Sequence, residues 1–405
     1  GRQREQRQIF DFQESDRTAL HLVGIGGMGK SYLARWLAWE GRGDRSIAWV
    51  ECSRCSVTVE GLMNSIASAA NHAQMRELLS NRREPLPVGD NPPIRDCVDL
   101  GIEALDQAHC ILVLEDFHDL DNTAQVEYQF LRPAVQSMQF AKIVIVSRRF
   151  AAILDEPELR VFQERLPLSG LTREDTLTLL AARGLNLPSP ALFESLWKKT
   201  GHGIPRIVEL AATQLRDDPE PEKRVERLPV YQSGDMRVWL DQQIQDLRAR
   251  TRKFLTTLLP LRRPEHVAFC RQLWQSEDFD SRLNALRSWC LLDPSDDPDS
   301  ILISNLFREY MLEEKIPASE RLQLHDQTAG VYLSEAKRAK PADRADLLVE
   351  AIWHADQAQD TDLVLEAGAM LQRMPEIEKN LDLLGQVDRL VVQAARQSDD
   401  KLMLV

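Results

Sequence analysis

The octet Gly24-Ile25-Gly26-Gly27-Met28-Gly29-Lys30-Ser31 fits the spacing G-x-x-x-x-G-K-[ST]. Its chemistry is that of a phosphate cradle. Glycines let successive backbone N–H groups turn inward and approach phosphate oxygens closely. The lysine reaches the β- and γ-phosphates and the hydroxyl binds Mg²⁺. Gly24, Gly26 and Gly29 also satisfy G-x-G-x-x-G, the dinucleotide fingerprint, with Glu51 as the acid about 20 residues on that would bind a ribose. Lys30-Ser31 has a task in a triphosphate site and none in a dinucleotide site, which favours the triphosphate reading. Downstream, Ile111-Leu112-Val113-Leu114-Glu115-Asp116 is an apolar run ending in two carboxylates. Such acids hold Mg²⁺ through water and orient an attacking water. Ile145-Val146-Ser147-Arg148-Arg149 is another apolar run, ending in a hydroxyl and two arginines. There Arg148 can contact a γ-phosphate.

These residues need a scaffold, and the first 150 residues supply its pattern. Short apolar runs at 19–23, 46–50, 110–114 and 142–146 read as strands buried on both faces. Helical patterns at 30–40, 95–108 and 123–138 lie between them. Alternation of this kind predicts a parallel α/β sheet covered by helices on both sides. Residues 84–93, with four prolines and a glycine, read as loop. From about Leu171 the strands give way to short helices at 173–183, 191–200 and 205–214. The acidic, proline-containing stretch 217–222 reads as a domain boundary. Residues 232–315 read as helices followed by a hairpin whose turn is 293–299, a pattern that suggests a winged helix. Residues 318–405 carry helical periodicity and suggest paired helices of a solenoid.

Composition sets the outer limits. At about 100–200 residues per domain, 405 residues predict two to four domains. With 43% hydrophobic and 28% charged residues, each can bury a core, which excludes a wholly disordered chain. The net charge of −13 repels phosphate backbones, so nucleic-acid binding would need a local basic patch. Arg248, Arg250, Arg252 and Lys253 are the nearest to one. Residues 235–315 nevertheless hold 12 basic and 14 acidic side chains, and the wing turn carries four aspartates. That block reads as a packing module rather than a DNA reader. Six scattered cysteines are the usage of a reducing compartment, and no apolar run reaches membrane-span length, so a cytoplasmic location is expected. Cys52-Ser53-Arg54-Cys55 lacks a second pair and reads as ordinary thiols. His118-Asp119 reads as polar loop. The chain starts without Met and stops inside a helical pattern, as a piece of a longer protein would.

Taken together, these residues resemble the STAND class of P-loop ATPases, the NB-ARC or AP-ATPase type found in plant resistance proteins, apoptosome scaffolds and bacterial defence or regulatory proteins. The resemblance runs along nearly the whole chain in the family's order. Gly1-Arg2-x-x-Glu5 is similar to an opening motif that borders the adenine, and Gly26-Gly27 is the family's form of the phosphate loop. Residues 166–175 resemble the junction into a helical lid, and Gly201-His202-Gly203-Ile204-Pro205 the motif whose proline packs on the base. The resemblance implies a nucleotide-binding domain at 1–165, a helical lid at 166–230, a winged helix at 231–317 and a truncated, TPR-like helical segment at 318–405. It implies ATP/ADP contacts at Arg2, Gly24, Gly26, Gly27, Met28, Gly29, Lys30, Ser31, Tyr32, Gly203 and Pro205. Ser31 and Glu115 would hold Mg²⁺, and Asp116, Glu115 and Arg148 would act on the phosphates. Two departures stand out. The second motif ends Glu115-Asp116 rather than Asp-Asp or Asp-Glu, which implies slow hydrolysis. Ser304-Asn305 stands where many members carry a His-Asp pair that locks the ADP state.

The activity so implied is a nucleotide-operated signalling switch that oligomerises when a ligand or protein engages downstream repeats. Its effector would lie outside this chain, and its biology would be bacterial defence, cell death or regulation. A remodelling or motor ATPase of the AAA+ kind would share both phosphate motifs and is the alternative. A dinucleotide-binding enzyme is the outsider.

Overall fold

The computed structural model describes residues 1–52, 59–70, 94–119, 126–216, 218–231, 236–293, 297, 299–374, 390–391 and 394. The loop read at 84–93, residues 123–125 of the third helical pattern, Cys55, Asp217 and most of 375–405 lie outside them. The chain divides into two compact units, residues 1–178 with 204–206, and residues 179–203 with 207–405.

In the first unit, β1 (Ala19–Val23), β2 (Ile47–Glu51), β3 (Ile111–Glu115), β4 (Lys142–Ser147) and β5 (Gln163–Pro167) form one parallel sheet. Their order is β2-β3-β4-β1-β5. Three strands, β1, β3 and β4, are buried at every residue, as expected for strands covered on both faces. One face packs on α1 (Gln3–Glu14) and α2 (Lys30–Trp36). There Ile9, Phe12, Leu33 and Leu37 meet Leu20, Leu22, Val113 and Val144. The other face packs on α3 (Val59–Ala69), α4 (Ile94–Gln107) and α5 (Arg132–Ser137), with Leu62, Ile66, Val98, Leu105 and Val135 against Val50, Leu112, Ile143 and Ile145. The alternation of β1 thus sends Leu20 and Leu22 to one layer and Ala19 and His21 to the other. The expected parallel α/β sheet with helices on both faces is therefore present.

Details differ from the sequence pattern. The helix beginning at Lys30 passes into a π turn at Leu37–Gly41, and the third pattern begins with a π turn at Glu127–Leu131. The edge strand β5 and the helix α1 have no counterpart in the pattern read above.

The second unit contains β6 (Glu265–His266) and β7 (Ser300–Ile301) as its strands among the described residues, and is otherwise helical. The chain runs through α6 (Arg173–Ala182), α7 (Pro190–Lys199), α8 (Pro205–Leu215) and α9 (Pro221–Arg227). Prolines 190 and 221 occupy the first helical position, where a missing N–H costs nothing. Helix α9 thus occupies part of the stretch read as connector. Next come α10 (Arg237–Asp246), α11 (Ala249–Leu258), α12 (Val267–Trp274) and α13 (Phe279–Ser288). Strands β6 and β7 pair antiparallel, and Leu292 bridges Ile303. Helix α14 (Asn305–Tyr310) leads to two long paired helices, α15 (Ala318–Arg338) and α16 (Pro341–Ala358), and then α17 (Thr361–Gln372). No helix among the described residues is long and apolar enough to cross a membrane.

Candidate functional site

Strand order decides between the two readings of the glycine loop. In a dinucleotide fold the ribose acid ends the strand beside β1. Here β2 lies three places from β1, with β4 and β3 between. At about 4.8 Å per strand, that puts Glu51 roughly 14 Å away along the sheet. Glu51 instead lies in register with Glu115 on the neighbouring β3. The paired carboxylates belong to one carboxyl-end edge, and the dinucleotide reading loses its acid.

The loop after β1 leaves at that same edge. Gly27 and Gly29 adopt φ of 76° and 83°, the left-handed region that glycine alone visits freely. A Cβ at Gly29 would point into open space, so the backbone conformation, not crowding, requires glycine there. Lys30 opens α2 and is buried, and its Nζ donates to the carbonyls of Gly24 at 2.8 Å and Ile25 at 3.1 Å. The ammonium is thereby held against the loop it serves. The backbone N–H of Gly24 approaches the Ser147 carbonyl at 3.4 Å, so the ends of β1 and β4 adjoin.

Glu115 is buried at the end of β3. Burial pushes its carboxyl above the usual range, against hydrogen bonds from Ser31 and Trp49 and the charge of Arg35; the neighbouring Glu51 reinforces the rise. Trp49 Nε1 donates to Glu115 Oε2 at 3.0 Å. A hydroxyl and a carboxylate in contact beside a glycine loop form a hard-oxygen donor set, which suits Mg²⁺. Asp116 follows with φ 51°, half-buried, so the chain turns sharply between the two acids. Arg148 is exposed just past the end of β4.

Arg2 has a place of its own. Its guanidinium is buried and donates through Nη2 to the carbonyls of Met28 and Ser169, both at 2.8 Å, and through Nη1 to Glu5 at 2.7 Å. It ties the phosphate loop to the segment after β5. Tyr32, on the first turn of α2, is 68% exposed. Pro205 begins α8, and the N–H of Arg206 donates to the Gly27 carbonyl at 3.2 Å, inside the first unit. In the second unit, Gly201, His202 and Gly203 take successive φ of 66°, 59° and 86°. That left-handed run explains the Gly-x-Gly spacing. Ser304 precedes α14, its N–H donating to the Leu291 carbonyl at 3.0 Å, and the N–H of Asn305 reaches Asp293 Oδ2 at 3.4 Å. The structure thus gathers the loop residues, Ser31, Glu115 and Arg2 around one edge. Trp49 and Glu51 were not read as partners of Glu115, because only the β2–β3 register brings them there.

No protein-family model matches the chain, and none of the curated proteins matches its sequence. Among solved structures, it is similar to the crystal structure of a Signal Transduction ATPase with Numerous Domains (STAND) protein with a tetratricopeptide repeat sensor from Pyrococcus horikoshii. The TM-score is 0.67 at 17% identity, over 99% of this chain and 53% of that one. This chain therefore spans about half the length of that protein. The ORC1 protein of Aeropyrum pernix in complex with DNA matches at TM-score 0.36 and 15% identity, over 78% of this chain and 92% of that chain. A RuvB variant of Thermotoga maritima matches at 0.34 and 16%, over 78% and 94%. Those two overlaps are too loose to bear on this chain. The first establishes the fold, a P-loop NTPase sheet domain followed by helical domains.

Proposed function

We propose that this chain is the nucleotide-operated core of an ATP/ADP signalling switch. One observation carries the reading: Lys30 lies across the glycine-loop carbonyls, while the adjacent Ser31 bonds to buried Glu115. Loop N–H groups would cradle the phosphates at Gly24, Gly26, Gly27, Met28 and Gly29, and Lys30 would move from carbonyls to phosphate oxygens. Ser31 and Glu115 would hold Mg²⁺, which when bound neutralises phosphate charge. Asp116 would orient the attacking water and Arg148 would contact the γ-phosphate. Arg2 would act through the loop it braces, and Tyr32, on the first turn of α2, would contact the nucleotide. Gly203 and Pro205 would serve the nucleotide as the resemblance implies, the proline packing on the base.

Residues 1–165, 166–230, 231–317 and 318–405 would be the nucleotide-binding, lid, winged-helix and repeat parts. In this reading ADP favours a closed monomer. A ligand or protein engaging the repeats favours the ATP state, which exposes a surface for a second copy of the chain. That ligand must prefer the open state by about 5.5 kcal/mol for a near-complete switch. Hydrolysis is a slow timer, and the output belongs to an effector beyond this chain in a bacterial defence or regulatory system. The test is calorimetric titration of protein stripped of nucleotide with Mg-ADP and Mg-ATP. Wild type binds both in a one-to-one ratio and Lys30→Ala binds neither; unchanged affinity in Lys30→Ala would sink the site.

A further inference from the structure

The sheet face that carries Ala19 and His21, with Ile143 and Ile145 beside them on β4, lies in an otherwise apolar cluster that includes Ile153 and Leu154. His21 is fully buried in it. A polar ring there is costly unless its nitrogens are bonded. Its Nε2 lies 2.9 Å from Ser147 Oγ, and the N–H of Ala151 points at its Nδ1 from 3.5 Å. A donor aimed at Nδ1 makes that nitrogen the acceptor, so the single ring proton belongs on Nε2, where it is shared between Ser147 Oγ and the Arg149 carbonyl, the other group that bonds the ring. The Ser147 hydroxyl is then free to donate to the Arg149 carbonyl. This bond closes a small ring of chain over Arg148.

The rest of the bend is fastened too. Phe150 meets His21 edge-on at 5.2 Å, and the Glu127 carboxylate accepts from the N–H groups of Ala152 at 3.2 Å and Ile153 at 3.0 Å. A leucine would fill the same core volume, but it could not fix the Ser147 hydroxyl. The chemistry therefore asks for more than packing.

We infer that His21, acting through Ser147, is the positioning residue that aims Arg148 at the γ-phosphate of ATP. The inference rests on the nucleotide reading above. It implies that this buried relay serves discrimination between ATP and ADP, since only ATP has the group Arg148 would meet.

Competition titrations with ADP and a slowly hydrolysed ATP analogue would test it on the whole chain. His21→Leu and Ser147→Ala should each weaken the ATP analogue about tenfold and ADP less than about twofold, the worth of one misaimed charge-assisted hydrogen bond. His21→Gln, which keeps a donor near the Nε2 position, should recover most of that loss. Combined with Arg148→Ala, His21→Leu should add nothing further. Equal losses for both nucleotides, or full additivity with Arg148→Ala, would overturn the inference. An Arg148→Ala protein without an ATP-selective loss would overturn the γ-phosphate role and the relay together. ATP-selective loss in Arg148→Ala with none in Ser147→Ala would remove the relay alone. Ser147→Ala decides the matter if His21→Leu does not fold.

Discussion

His21 shows how one residue ties a fold to its pH range. Its ring is pushed down to about 3, first by burial and then by the charge of Arg165, with the Arg149 carbonyl and Asp155 opposing. Free histidine titrates near 6.5. Between these values the unfolded chain takes a proton that the native state refuses. Stability is therefore full above about pH 6.5 and falls as pH drops towards the folded value, by about 1.4 kcal/mol per unit. Denaturant unfolding of wild type and His21→Gln from pH 7.5 to 4.5 should show the variant gaining on wild type below pH 6.5. A difference that stays constant with pH would contradict a neutral buried ring. At this scale the sequence was legible wherever spacing itself carries the chemistry. Gly24 through Ser31, Glu115 and Arg148 could all be picked out. Arg2 could be named, but its acceptors Met28 and Ser169 come from distant segments, and spacing does not reveal them. His21 passed unremarked, because a histidine inside an apolar run carries no sign of its partner.

At the scale of elements, legibility followed burial. Strands β1, β3 and β4 are apolar throughout because helices cover both faces, and their runs stood out. Strand β5 reads Gln-Glu-Arg-Leu-Pro, with only Gln163 and Leu166 buried, so its pattern resembles loop. Strand order was also hidden. Only pairing shows that β4 lies between β1 and β3, and that Glu51 joins Glu115 rather than the glycine loop. Among the helices, the second unit holds a buried joint with a measurable strength. Arg262, in the turn before β6, donates from Nε and Nη2 to the two Glu350 oxygens at 2.9 and 3.1 Å, and its guanidinium lies 4.2 Å over the Trp353 ring. Both partners are nearly buried. Removing one partner leaves the other charge without its mate, at a cost of about 3–5 kcal/mol. Chemical denaturation should show that loss in Arg262→Met and in Glu350→Met, and a much smaller one when the two are combined. Losses that simply add would mean the pair is not coupled.

Across the whole molecule, the parallel sheet and the helical remainder were legible from the loss of strand runs after about Leu171. The fold match to a STAND protein with a repeat sensor agrees with that reading over nearly the full chain. The packing divides the chain into two compact units, residues 1–178 with 204–206 and residues 179–203 with 207–405. In the proposed switch everything depends on the glycine loop holding an adenine nucleotide. Heating the purified protein and separating what it releases by anion exchange tests this most directly. Wild type should release stoichiometric ADP and Lys30→Ala none. Release of NAD, or equal nucleotide from both proteins, would contradict it.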